Sequence, residues 1–142
     1  MGILAAKDQE AIRKEFARLT GPVKLVVFSQ ELVAGELCRQ NEQLMKEVAE
    51  LSEHVTVEVL NPAIDRERAE AYGVSDVPVT VVEGARDHGI RFLGIPSGYE
   101  FSNLIDSIIA VSRGEVALTE ATKASLATLP GDVEIKVFST PT

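Results

Sequence analysis

The chain has 142 residues, 45% hydrophobic and 25% charged, which suits one compact domain with a real core and a short extension. Its formal net charge is -8, and so acidic a chain lacks the basic patches that nucleic acid or an anionic membrane surface requires. One cysteine excludes an internal disulfide and a self-contained dithiol cycle, and His54 and His88 lack metal-ligand spacing, so no metal is expected.

The opening MGILAAKDQE has no basic segment followed by a long apolar run, and Ala6 breaks the myristoylation pattern after Gly2. No apolar stretch approaches the roughly 20 residues of a membrane span. The expectation is a soluble, cytoplasmic protein. Residues 8–19, DQEAIRKEFARL, predict a helix with Asp8 as N-cap and Ile12, Phe16 and Leu19 on one face. TGP ends it. Val23 to Phe28 is an apolar run broken only by Lys24, as in a strand buried on both faces. Residues 36–51 predict a helix with Leu37, Leu44, Met45, Val48 and Leu51 as its apolar stripe.

HVTVEVL, residues 54–60, alternates as a strand, and Asn61-Pro62 breaks it. IDRERAEAYGV predicts a short helix ending at Gly73 as its C′ glycine. VPVTVV (77–82) predicts a strand, EGARDHG a polar turn, and IRFLGI (90–95) a further strand. PSG opens a helix from Tyr99 to Ser112, with Phe101, Leu104, Ile105, Ile108 and Ile109 inward. Helix, β, α, β, α, β, β, α describes an α/β fold: a small central mixed sheet with helices on both faces. A further helix runs from the capping Thr119 to Leu129, and VEIKVFS (133–139) predicts a new strand.

The chain repeats its own beginning. ARLTGPVKLVVFS (17–29) and ATLPGDVEIKVFS (127–139) align at a constant offset of 110, with identities at Ala17/Ala127, Leu19/Leu129, Gly21/Gly131, Val23/Val133, Val27/Val137, Phe28/Phe138 and Ser29/Ser139. One reading is that helix-turn-strand segments resemble one another. The sharper reading divides the chain into a complete unit, residues 1–115, and the linking helix and first strand of a second unit, residues 116–142. An orphan strand would expose a pairing edge. A shortened chain, a proteolytic fragment, or a tail paired with another chain (a homodimer included) would each account for it.

LTGPVKLVVF, VPVTVV, RFLGIPSGYEF and GDVEIKVFSTPT together resemble the N-terminal half of the tandem-thioredoxin protein disulfide oxidoreductases, also called glutaredoxin-like proteins, of thermophilic archaea and bacteria. The similarity covers essentially the whole chain. RFLGIPSGYEF, with LTGPV and AELSEHVTVEV, is also similar to the N-terminal domain of the flavoprotein subunit of alkyl hydroperoxide reductase. That domain is a fused pair of thioredoxin folds whose first copy lacks the cysteine pair. The first family is favoured because NPAIDRERAEAYGVS (61–75) reads as a full helix of the thioredoxin type, which the reductase domain abbreviates.

The resemblance implies a thioredoxin-like fold, thiol–disulfide exchange and cell redox homeostasis for the whole protein, and no bound cofactor. It also implies a second unit whose C-x-x-C begins just beyond Thr142. In the first unit, Cys38 matches the second cysteine of such a motif and Gly35 the first, with Glu36 and Leu37 between them. SQELVA, before it, is a residue longer than usual. In C-x-x-C the first cysteine attacks, activated by the orphan N–H groups at a helix start, and the second resolves the mixed disulfide. Without the first, a dithiol mechanism is not expected. Cys38 is then either a small buried hydrophobe or a mildly reactive resolving thiol, open to glutathionylation or intermolecular pairing.

The resemblance also implies a cis Val77-Pro78 bond that shapes a surface for an extended peptide, against the ordinary trans proline at a strand start. Disulfide-bearing proteins or thiols are the partners implied for the face around Cys38 and Pro78, beside the second thioredoxin unit. Glu31 and Glu36 flank the site, either as proton acceptors in place of the lost cysteine or as solvated residues favouring the helix start. GIPSG completes no phosphate-binding pattern, and Ser29, Ser139 and the histidines form no hydrolase signature. DRERAEA reads as a solvated helix face. Two functions stay open: the scaffold and docking unit of a disulfide oxidoreductase, and a non-redox adaptor of the reductase kind.

Overall fold

A computed structural model describes residues 2–140. Met1, Pro141 and Thr142, at the two ends of the expected domain division, lie outside the described residues. The β-branched run Val23–Phe28 forms β1. It pairs in parallel with β2 (Val55–Leu60) and antiparallel with β3 (Val79–Glu83), which in turn pairs antiparallel with β4 (Asp87–Leu93). The order β2-β1-β3-β4 leaves β1 and β3 central, so their near-continuous burial follows from position.

The helices are α1 (Ala6–Phe16), α2 (Glu31–Ala49), α3 (Arg66–Ala71), α4 (Tyr99–Arg113) and α5 (Glu120–Ala127). Alternation along β1 sends Leu25 and Val27 to one face and Val26 and Phe28 to the other. The first face packs against Ile12 and Phe16 of α1, Met45 and Val48 of α2, and Leu104 and Ile108 of α4. The second is covered by Ala69 of α3, with Tyr72 edge-on to Phe28 at 5.8 Å. This is the mixed sheet with helices on both faces that the periodicities predict.

Ser112 ties the end of α4 to the turn before β1. Its hydroxyl accepts from Thr20 N–H (3.0 Å) and Gly21 N–H (3.1 Å) and donates to the Gly21 carbonyl (2.7 Å). A Cβ on Gly21 would lie 2.9 Å from the Ser112 carbonyl oxygen, so glycine permits this approach. On the α3 side, Tyr72 donates to Glu83 at 2.8 Å, and Arg91 stacks over the Tyr72 ring while gripping Asp87.

Several expectations are corrected. Helix α1 starts at Ala6 with Ala5 as N-cap, so Asp8 is a first-turn residue and no cap. The expected full helix over 61–75 contracts to six residues. Asn61 accepts from Ala63 N–H and Asp65 from Asn61 N–H, and these local bonds hold 61–65 as a turn. Gly73 does close the helix, with Val74 N–H on the Ala69 carbonyl and Gly73 N–H on that of Glu70. Strand β4 begins at Asp87, which places His88 in a strand, and a bulge at Val82/Glu83 absorbs the shorter turn.

Beyond α4 the picture changes. Thr119 caps α5, accepting from Thr122 N–H at 3.2 Å. Residues 133–139, expected as a strand, join no ladder among the described residues. A strand needs a neighbour to exchange its backbone hydrogen bonds, and sequence pattern alone does not supply one.

Candidate functional site

Helix α2 is not regular throughout. Ala34 has non-helical angles (φ -141°, ψ 51°), so a first turn of Glu31 to Val33 is set off from the regular helix that starts at Gly35. The longer SQELVA loop is thus absorbed as an extra helical turn. Gly35, Glu36, Leu37 and Cys38 form the first turn after the kink.

Cys38 is fully buried. Its sulfur accepts from Gln30 N–H at 3.4 Å, and its thiol donates to the Gln30 carbonyl at 3.6 Å. The backbone just before the extra turn thus covers and holds the thiol. Gly35 is half-buried, and a Cβ there would meet only Arg39 Nη1, at 3.6 Å. The position that the resemblance matches to a first cysteine is therefore open to a side chain.

Glu36 is exposed and turned along its own helix, accepting from Arg39 at 2.9 Å and Gln40 at 2.6 Å. The Arg39 guanidinium holds its carboxyl below the ordinary value. Glu31 is exposed at the helix start. Leu37, expected in the apolar stripe, is instead 53% exposed. The buried line runs Cys38, Asn41, Met45, Val48, and Leu37 lies on its flank near the start of the helix.

The Val77-Pro78 bond is cis. Pro78 is buried and Val77 half-buried, and the Pro78 carbonyl accepts from Gly94 N–H at 2.8 Å. Asn41 joins this region to the cysteine turn: fully buried, it donates through Nδ2 to Thr80 Oγ1 at 3.0 Å, two residues after Pro78. The Asn41 Oδ1 atom has no hydrogen-bond partner among the described residues. Its sequence signal was available, since it falls three residues after Cys38 on the same helical face.

An open cleft of about 500 Å³ lies beside Gln30, bounded by Ser29, Leu32, Glu42, Val59, Asn61 and Asp65. Ser29 donates to Glu42 at 2.5 Å, an arrangement with no nucleophile–base logic because no histidine is part of it. Ser139 lies in the exposed tail. His54 is half-buried before β2 and His88 is exposed. Among the described residues no group of three or more His, Cys, Asp or Glu side chains could hold a metal ion. No helix among them is long and apolar enough to cross a membrane.

No family model matches the chain, and no curated protein matches it. Solved structures do. The NTD_N/C domain of alkylhydroperoxide reductase AhpF from Enterococcus faecalis superposes with a TM-score of 0.80 at 25% identity, covering 89% of this chain and 61% of that one. A protein disulfide oxidoreductase from Aeropyrum pernix gives 0.77 at 27% identity, covering 89% and 56%. A mutant thioredoxin from Halobacterium salinarum, at 17% identity and a TM-score of 0.52, shares the fold. The chain spans about three-fifths of the first two structures' own length. It has a thioredoxin-like fold, similar to the two kinds of protein that its sequence resembles: the AhpF N-terminal domain and a protein disulfide oxidoreductase.

Proposed function

We propose that this chain is the N-terminal thioredoxin-fold part of a glutaredoxin-like protein disulfide oxidoreductase and serves as a scaffold and docking unit without dithiol turnover of its own. One observation carries the second half of this reading: the sole thiol, Cys38, is fully buried and engaged on both sides by the Gln30 backbone. A resolving thiol so placed has no attacking partner at Gly35. The likeness to the Aeropyrum pernix oxidoreductase supports the redox setting. The repeat of residues 17–29 at 127–139 supports reading the tail as the opening of a second unit, where a C-x-x-C would do the chemistry.

Disulfide-bearing proteins are the partners proposed for the face around Cys38 and Pro78. The non-redox adaptor reading rests on the Enterococcus faecalis superposition and on the contracted α3, which removes the feature that favoured the oxidoreductases. Both readings predict the same result for the isolated chain. Insulin reduction with dithiothreitol should run at the uncatalysed rate, and equally so for Cys38→Ser. Turnover that disappears in Cys38→Ser would defeat the proposal. Installing the missing group with Gly35→Cys should create turnover, because the position has room for it and sits at a helix start.

A further inference from the structure

Helices α1 and α4 pack side by side over one face of the sheet and leave a groove of about 520 Å³ between them. Its floor is apolar: Leu4, Ala11, Ile12, Phe101 and Ile105. Its rim is acidic: Asp8 and Glu15 on α1, and Asp106 on α4. Asp8 and Asp106 have no ion-pair partner among the described residues, and Glu15 meets only Arg18 of its own helix at 3.3 Å, where both side chains are more than half exposed.

One end of the groove is fixed by hydrogen bonds. Glu47 of α2 accepts both Ile3 and Leu4 N–H groups at 2.8 Å, and Gln9 donates to the Leu4 carbonyl at 3.1 Å, which fixes Leu4 at one end. Ala11, exposed between Asp8 and Glu15, has no side chain large enough to fill the space.

We propose that this groove docks a cationic amphipathic helix of a partner protein. Two packed helices present ridges between which a third helix seats its apolar stripe. Helix α1 is 11 residues long, about 16 Å at 1.5 Å per residue, and so accommodates three turns of a partner. Asp8 and Glu15 are two turns apart on one wall and Asp106 faces them from the other, which fits Lys or Arg residues flanking the stripe on both sides. No sheet edge borders the groove, so strand addition is not available there. The net charge of -8 steers a basic partner toward the molecule. The site lies apart from the Cys38 region and is independent of the redox reading.

The test uses a fluorescein-labelled leucine–lysine model peptide that is helical and amphipathic, titrated into the full chain. Anisotropy should report binding that weakens with salt, and amide resonances of Ala11 and Phe101 should shift. The triple variant Asp8→Asn, Glu15→Gln, Asp106→Asn should bind about tenfold more weakly. Ala11→Lys, at an exposed helical position, should do likewise while leaving the fold intact by circular dichroism. A matched control, Glu67→Gln, Glu70→Gln, Asp76→Asn, changes net charge equally on the α3 side and should bind as the parent does. Equal weakening by the control would mean general attraction to an acidic surface and would overturn the proposal. So would shifts mapping elsewhere, no binding at about millimolar peptide, or equal binding by a proline-substituted peptide that cannot form a helix.

Discussion

Residues 17–29 and 127–139 share 7 of 13 positions, yet they end in opposite states. In the first copy, Leu25, Val26, Val27 and Phe28 are all fully buried between β2 and β3. In the second, the equivalent Ile135, Val137 and Phe138 are 82%, 84% and 90% exposed. Local pattern gives both segments the capacity to be a strand. Neighbours decide whether the capacity is used, because a strand is completed by the ladder on either side and by helices above and below. For the first copy these are supplied by α1 and by residues 31–113; for the second, none of the described residues supplies them.

Equivalent substitutions in the two copies should have unequal effects. The largest contrast is expected at the paired phenylalanines. Phe28→Ala should cost about 3–5 kcal/mol through its cavity, whereas Phe138→Ala should stay within about 0.5 kcal/mol, both read by urea denaturation. Equal losses would show that the tail is packed as β1 is.

The turn glycines come next. Gly21→Ala drives a Cβ to 2.9 Å from the Ser112 carbonyl and disturbs the hydroxyl clamp, whereas a Cβ on Gly131 meets nothing within 4 Å. The first should lose roughly 1–3 kcal/mol and the second should be neutral by the same assay. A neutral Gly21→Ala would mean that the clamp contributes little.

The smallest contrast concerns ion pairs and pH. Asp87 is lowered from its ordinary 3.8 to about 2, chiefly by its hydrogen bonds to Arg91, and its side chain is 31% exposed. A lowered carboxyl stabilises the fold fully above its unfolded value, and that contribution fades as pH falls from near 4 through about 2. Asp87→Asn should therefore lower Tm by a few degrees at neutral pH, with the gap closing below about pH 2. In the tail, the exposed Lys136–Glu134 pair should give no measurable change on Lys136→Ala. A gap that stays at its neutral-pH size below about pH 2 would rule out the Asp87 carboxylate as its source.

Much of the fold was legible before the structure. β1 was readable as an apolar run interrupted only by Lys24, α4 by Leu104, Ile105, Ile108 and Ile109 at helical spacing, and α5 by Thr119. Three features were not, each for a physical reason. Asn61 and Asp65 bind nearby backbone and shorten α3, a competition that periodicity does not register. The kink at Ala34 adds a turn to α2 where the loop had seemed merely longer. The tail reads as a strand in isolation, and only three-dimensional neighbours could say otherwise. At the candidate site, the family resemblance pointed to Gly35 and Cys38, but the Gln30 backbone that shuts the thiol in was not legible, because it depends on the kink.

This thioredoxin-like unit encloses its only thiol. The direct test is the rate of Cys38 alkylation by iodoacetamide in the folded protein, across a urea series, beside the unfolded chain. The native rate should be at least about a hundredfold below the unfolded one and rise with urea in step with unfolding. A native rate close to that of the unfolded chain would contradict it and would leave Cys38 accessible for exchange.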